Sequence, residues 1–275
     1  MMQIKLDDDE PAVFDVYQRD AYDLPLLLCD HAGNHIPRMA KRLGLGDDGL
    51  QQHIAYDIGA GELTRLLAQT LGWPAIWANY SRLWVDLNRK IDDPTLIREL
   101  SDHQIITGNV HLSHDQMEAR IQQLYHPYHQ AIADFITKSM KIYHQDGPPP
   151  MAILVHSFTP NIRMKGQSQS RKWHIGLLSD GERRLTNFAL DYFARHHREL
   201  NIGDNQPYSG NDAYDKTVSS HLKPKGIARL LIEIRQDLIN TSQGVARMAN
   251  ILTPLLQEML AQCHDYPPLC QESNR

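Results

Sequence analysis

Apolar residues along this chain gather in two patterns. Short runs without alternation occupy Leu24 to Cys29, Ala75 to Ala78, Leu83 to Leu87, Met151 to Val155, Ile175 to Leu178 and Ile227 to Ile234. Runs of this kind predict strands covered on both faces, as in a parallel sheet. Longer stretches carry apolar residues at three- and four-residue steps. Ile121, Leu124, Tyr128, Ile132, Phe135, Ile136 and Met140 make one stripe, and Val245, Met248, Leu252, Leu255, Leu256 and Met259 make another. Both predict helices laid on a core, and Pro254 inside the second predicts a kink. Strands alternating with helices predict an α/β protein, a three-layer α/β/α arrangement around a mostly parallel or mixed sheet. Gly147-Pro148-Pro149-Pro150 is the clearest break. With strand-like runs on both sides, it reads as a helix-to-strand connection inside one domain spanning 1–275.

In sheets of this type, ligands collect at the carboxyl ends of the strands, and polar residues follow several of the runs. Leu24 to Cys29 leads into Asp30-His31-Ala32-Gly33-Asn34-His35, and Met151 to Val155 leads into His156-Ser157. Arg229 to Ile232 leads into Glu233-Ile234-Arg235-Gln236-Asp237, and Leu83 to Val85 into Asp86-Leu87-Asn88-Arg89. Ala32 and Gly33 are small enough for a tight turn and close approach of a ligand to the backbone.

Two histidines and several carboxylates leaving separate strands are what a catalytic zinc site needs: three nitrogen or oxygen ligands and an open position for water. His31 and His156 are the candidate nitrogen ligands, and Glu233 is the candidate base. The competing reading is a pair of turn histidines bonded to backbone. His126 and His129 lie on the first apolar stripe and read as packing or capping residues, while His144 and His196-His197 suit helix C-termini. No His-Glu-x-x-His helix, Gly-x-Ser-x-Gly elbow or phosphate-binding glycine loop is present. Arginine's planar fork suits a carboxylate. Arg82, Arg89 and Arg235 beside the proposed site therefore point to a small anionic substrate with one or two carboxylates. Arg82 is equally open to an internal ion pair with Asp86 or Asp57.

Composition narrows the function classes. With 275 residues, 41% hydrophobic and 22% charged, the chain excludes disorder and fibrous repeats. Lys and Arg number 28 against 33 Asp and Glu, a net charge of -5, so no global basic field draws nucleic acid. No apolar run is long enough for a membrane span. The acidic opening MMQIKLDDDEPAVFD is unlike a signal peptide. Cys29, Cys263 and Cys270 are too few and too scattered for a disulfide framework, and Cys29 reads as a core residue. A cytoplasmic location is the expectation.

With these residues in place, the sequence resembles the N-formylglutamate amidohydrolase family almost end to end. The resemblance is carried by residues 29–37 (Cys-Asp-His-Ala-Gly-Asn-His-Ile-Pro), 53–60 (His-Ile-Ala-Tyr-Asp-Ile-Gly-Ala) and 81–89 (Ser-Arg-Leu-Trp-Val-Asp-Leu-Asn-Arg). It continues through Tyr125 to His129, His156 to Pro160, Gly203 to Gly210 and Ile232 to Ile239. The resemblance implies a fold similar to zinc metallocarboxypeptidases and aspartoacylase-type deacylases. It also implies Zn2+ as cofactor, N-formyl-L-glutamate as substrate and a place in histidine degradation. His31 and His156 fall on the family's histidine ligands, Glu233 on the base, and Asn88-Arg89 on a clamp for the substrate carboxylate, with Arg82 and Arg235 as further substrate contacts. Asn34 stands where such sites carry a glutamate ligand. Asp57 is the first substitute for the third metal ligand, with an N-cap role as its alternative, and Asp30 and Asp86 follow. Two other readings stay open: a carboxypeptidase acting on short peptides or cell-wall fragments, and a non-catalytic relative that binds carboxylate or metal.

Overall fold

The computed structural model describes residues 6–46, 48–164, 167–210 and 216–269; Cys270 lies outside them. In chain order come β1 (Phe14–Tyr17), β2 (Leu26–Cys29), α1 (Ala60–Leu71), β3 (Ala75–Ala78) and a short hairpin of β4 (Leu100–Ser101) and β5 (Gln104–Ile105). There follow α2 (His114–Arg120), a π-helical turn at Ile121–Tyr125, α3 (His126–Tyr143) and β6 (Met151–Phe158). A second hairpin of β7 (Asn161–Met164) and β8 (Gln167–Ser170) precedes β9 (Ile175–Leu178), α4 (Arg184–His196), β10 (Ile202–Asp204), β11 (Ala228–Arg235) and α5 (Ser242–Ala261).

Seven strands form the central sheet in the order β1-β3-β2-β6-β11-β9-β10. The four central strands β3, β2, β6 and β11 are parallel, whereas β1 and β9 run antiparallel to β3 and β11. Side chains alternate across each strand, and both sets are apolar here. Leu27, Cys29, Ile153, Val155, Leu230 and Ile232 pack with α1, α4 and α5 on one face. Leu26, Leu28, Ala152, Leu154 and Leu231 pack with α3 on the other. This is the three-layer α/β/α arrangement read from the sequence, and it explains why the strand runs carry no polar alternation. The chain crosses from α3 to β6 over Gly147 to Pro150, as expected. No helix among the described residues is long and apolar enough to cross a membrane.

Two expectations need correction. Leu83 to Leu87 is not a strand. Leu83, Trp84, Val85 and Leu87 are buried, but their backbone is satisfied by turns and side chains: Asn109 donates to the Leu83 carbonyl and Arg120 to that of Trp84. An apolar run reports burial, not the partner of its hydrogen bonds. The other correction concerns length: β6 continues past Val155 to Phe158, so His156 lies within the strand. Glu233 lies within β11, inside the run that predicts it. Helix α5 carries Pro254 within its span Ser242–Ala261.

Candidate active site

The carboxyl ends of the central strands bring the polar residues together. β2 stops at Cys29, and Asp30 and His31 follow directly, both buried. The turn after them is held to the loop that follows β3, because His35 N–H donates to Asn79 O at 3.2 Å and Ser81 N–H to His35 O at 2.8 Å. A Cβ at Gly33 would lie 2.0 Å from Asn79 O. The close approach read from Ala32-Gly33 is therefore to the protein's own backbone, not to a ligand. This contact sets Arg82 and Asp86 beside His31. His156 and Glu233 are register partners on the parallel strands β6 and β11, so they stand side by side on one face.

Both imidazoles meet at Asp57. His156 Nδ1 lies 2.8 Å from Asp57 Oδ2, and His31 Nδ1 lies 3.5 Å from the same oxygen. Each Nε2 turns toward another buried carboxylate. His31 Nε2 is 2.7 Å from Asp86 Oδ1, and His156 Nε2 is 3.9 Å from Asp30 Oδ2. A carboxylate accepts, so His31 carries its proton on Nε2, and its buried Nδ1 has no hydrogen-bond partner. Asp30 is fixed through its other oxygen, which accepts from Tyr128 Oη at 2.6 Å and Thr217 Oγ1 at 3.1 Å. One ligand atom from each of His31, Asp57 and His156 lies within 4.8 Å of the others, close enough to share a cation. Asp57 has no N-cap role: Gly59 occupies the cap of α1 at φ 79°. Asn34 is turned away, donating to Leu50 O at 2.8 Å, and the carboxylate that stands with the two imidazoles is Asp57.

The electrostatics of the cluster favour a positive guest. Burial would raise the pKa of Asp57, but the neighbouring His31 and His156 outweigh it and hold the carboxyl well below its usual range. Burial alone would lower His156, yet its hydrogen bond to Asp57 and the charges of Asp57, Glu233 and Asp30 push it up to about 10. Glu233 is raised to about 7, chiefly by burial, and its Oε2 is buried without a partner. Three buried carboxyl groups (Asp30, Asp57, Asp86) and the half-buried Glu233 thus surround two imidazoles. Arg82 offsets part of this, binding Asp86 at 3.0 Å and Asp57 at 3.3 Å. Orphaned buried ligand atoms in a two-nitrogen, carboxylate-rich set fit a divalent metal.

The cluster forms the floor of a cavity of about 450 Å³. His31, Asp57, Arg82, Asn88, Arg89, His156 and Glu233, all singled out from the sequence, line it. Arg235 does not. Its guanidinium is bound to Asp237 at 2.7 Å and to the Arg171 carbonyl at 3.3 Å. Arg82 is engaged as an ion pair, one of its two sequence readings. Asn88 Oδ1 accepts from the backbone of Lys216 and Thr217 at 2.9 and 3.1 Å, which leaves its amide hydrogens as donors for a ligand. The sequence reading passed over His53, Arg98, Ser101 and Tyr208, which also line the cavity. His53 and Tyr208 stood inside motifs already quoted, whereas nothing in the chain pattern marked Arg98.

The pattern of the N-formylglutamate amidohydrolase family matches residues 25–240. The chain belongs to the N-formylglutamate amidohydrolase family. Among solved structures, a crystal structure of the gene product Atu2144 from Agrobacterium tumefaciens superposes with a TM-score of 0.84 at 30% identity, covering 94% of this chain and 98% of that one. A crystal structure of N-formylglutamate amidohydrolase from Ralstonia eutropha JMP134 superposes at 0.69 with 19% identity, covering 93% and 99%. Among curated proteins, none matches. Membership in the N-formylglutamate amidohydrolase family makes the chain a hydrolase acting on an amide C–N bond. For such a hydrolase, the cluster of His31, Asp57, His156 and Glu233 at the carboxyl ends of the parallel strands is the candidate catalytic floor, with Asn88 and Arg89 on the wall above it.

Proposed function

We propose that the chain is a zinc-dependent amidohydrolase releasing formate from N-formyl-L-glutamate. The observation that carries this reading is the convergence of His31, Asp57 and His156 beside Glu233, on the floor of a cavity walled by Asn88 and Arg89. His31, Asp57 and His156 hold the metal. Zinc, when bound, polarises the acyl carbonyl and acidifies water.

The remaining work falls to the chain's own groups. Glu233 presents Oε2 with no competing donor, so it takes a proton from the attacking water and returns it to the leaving nitrogen. Its pKa near 7 suits both directions of transfer. Asn88 and Arg89 hold the carboxylate next to the scissile amide, which fixes the acyl group over the floor. Arg82, already committed to Asp57 and Asp86, locks the ligand cluster and takes no direct part in binding; Arg235 has none.

Formate release tests this directly, with protein stripped by chelator and then reloaded with Zn2+. Activity is expected only in the reloaded protein, and His31→Ala is expected to abolish it. Glu233→Gln keeps the shape but removes the base, so kcat is expected to fall about 10²- to 10⁴-fold with KM little changed. Turnover of short peptides but not of N-formyl-L-glutamate would redirect the reading to a carboxypeptidase.

A further inference from the structure

Arg98 stands on the cavity wall with Arg82 and Arg89. Its backbone is pinned just ahead of the β4–β5 hairpin: the Arg98 carbonyl accepts from Asn109 Nδ2 at 2.8 Å, and the next carbonyl, of Glu99, accepts from Ile106 N–H at 2.8 Å. The side chain is half-buried, and its Nε is shut off from solvent with no hydrogen-bond partner. Among the described residues Arg98 makes no ion pair. Of the carboxylates lining the cavity, Asp102 lies 3.9 Å from His53 Nε2, and Asp57 is bound by His156 and Arg82; Asp86, buried behind the wall, is drawn elsewhere too. Asp86 binds Arg82 at 3.0 Å and His31 at 2.7 Å, with Arg89 Nε 3.9 Å away. Burial, and after it the charges of Arg82 and Arg89, hold the Arg98 pKa below its ordinary value, while Asp86 and Asp93 oppose this from longer range. A guanidinium kept on a rigid backbone, partly desolvated and facing like charges, lacks an anion.

We propose that Arg98 is a specificity residue that receives a second carboxylate, so that the site selects N-acyl derivatives of dicarboxylic amino acids over those with neutral side chains. Asn88 and Arg89 hold the carboxylate beside the amide, and Arg98 holds the one at the end of the substrate side chain. The bond that is cut rests on the amidohydrolase reading above; which acid is held rests on Arg98.

The test compares the wild-type protein with Arg98→Gln and Arg98→Lys on N-formyl-L-glutamate and on its isostere N-formyl-L-glutamine. In parallel, calorimetry measures binding of glutarate and of butyrate to the zinc-loaded protein. A charge-assisted contact of this kind supports a loss of about 10- to 100-fold in kcat/KM on the glutamate derivative for Arg98→Gln, with less than about threefold on the glutamine derivative. Arg98→Lys is expected to keep part of the preference, and glutarate binding is expected to weaken in step while butyrate binding does not. Equal losses on both substrates would mark a structural role and overturn the proposal, as would no loss on either. If the wild-type protein cleaves neither compound yet binds glutarate through Arg98, the cleavage reading falls and this one stands. If glutarate and butyrate respond alike to the substitutions, Arg98 is not the reader.

Discussion

Asp86 shows how much a single side chain decides at this site. Four donors converge on its carboxylate: His31 Nε2 at 2.7 Å, the Asn88 N–H at 3.0 Å, and Arg82 Nε and Nη2 at 3.1 and 3.0 Å. The contact to His31 fixes the proton on Nε2 and leaves Nδ1 turned toward Asp57, the atom a metal needs. In Asp86→Asn, an amide NH2 must face either the two Arg82 donors or the Asn88 N–H. The charged pair wins the oxygen, so the amide nitrogen turns to His31 and forces it to accept on Nε2, which places the proton on Nδ1. Zinc affinity is therefore expected to fall about 10- to 100-fold, read by competition against a chromophoric chelator. An unchanged affinity would mean that Asp86 does not orient His31. In the chain order Asp86 stood only as an ion-pair partner for Arg82 and as a spare ligand; its hold on His31 was not visible. His31 and His156 were legible because each follows a buried run, whereas Asp57 came only from the family resemblance; which carboxylate backs which imidazole depends on distances across 55 and 99 residues of chain.

Among the elements, α3 and the turn at Val218–Leu222 carry a pair of stacked imidazoles. His129 Nε2 donates to Leu87 O at 2.9 Å, so its Nδ1 accepts from His221 Nε2 at 2.9 Å. His129 was expected to pack or cap, and it packs. Burial, then the neighbouring His221, lowers His129 to about 3; burial, then Lys216, lowers His221 to about 4. The unfolded chain takes up these protons near pH 6.5, so between that pH and about 4 the unfolded state binds more protons than the folded one. Stability is full above pH 6.5 and declines as the solution is acidified. The melting temperature is expected to drop between pH 7 and pH 5, and by less in His129→Gln; an equal drop in both would remove the pair as the cause. The same elements show the limit of pattern reading. Runs of buried residues located β3, β6, β9 and β11 because a covered parallel sheet leaves no polar face. The identical signature at 83–87 belongs to a loop, since burial is shared by both and only the ladder partner differs.

For the whole molecule, the three-layer order was readable from alternating strands and helices, whereas the edge strands β1 and β10, short and half-exposed, left no apolar run to find. A metal that binds only the folded chain stabilises it by mass action, by about 2.7 kcal/mol at a hundredfold excess over its dissociation constant. Zinc is thus expected to raise the melting temperature of chelator-treated protein, and His156→Ala to abolish the rise. A rise that persists in the variant would place the stabilising metal elsewhere.

The Gly147–Pro150 crossing divides the floor evenly: His31 and Asp57 precede it, His156 and Glu233 follow it. An ion shared by His31, Asp57 and His156 is therefore a rivet between two lengths of polypeptide that meet along the seam where β2 and β6 pair. A backbone nicked at that crossing would still be clasped through its centre, and its two fragments would have to find each other before either possessed a working floor.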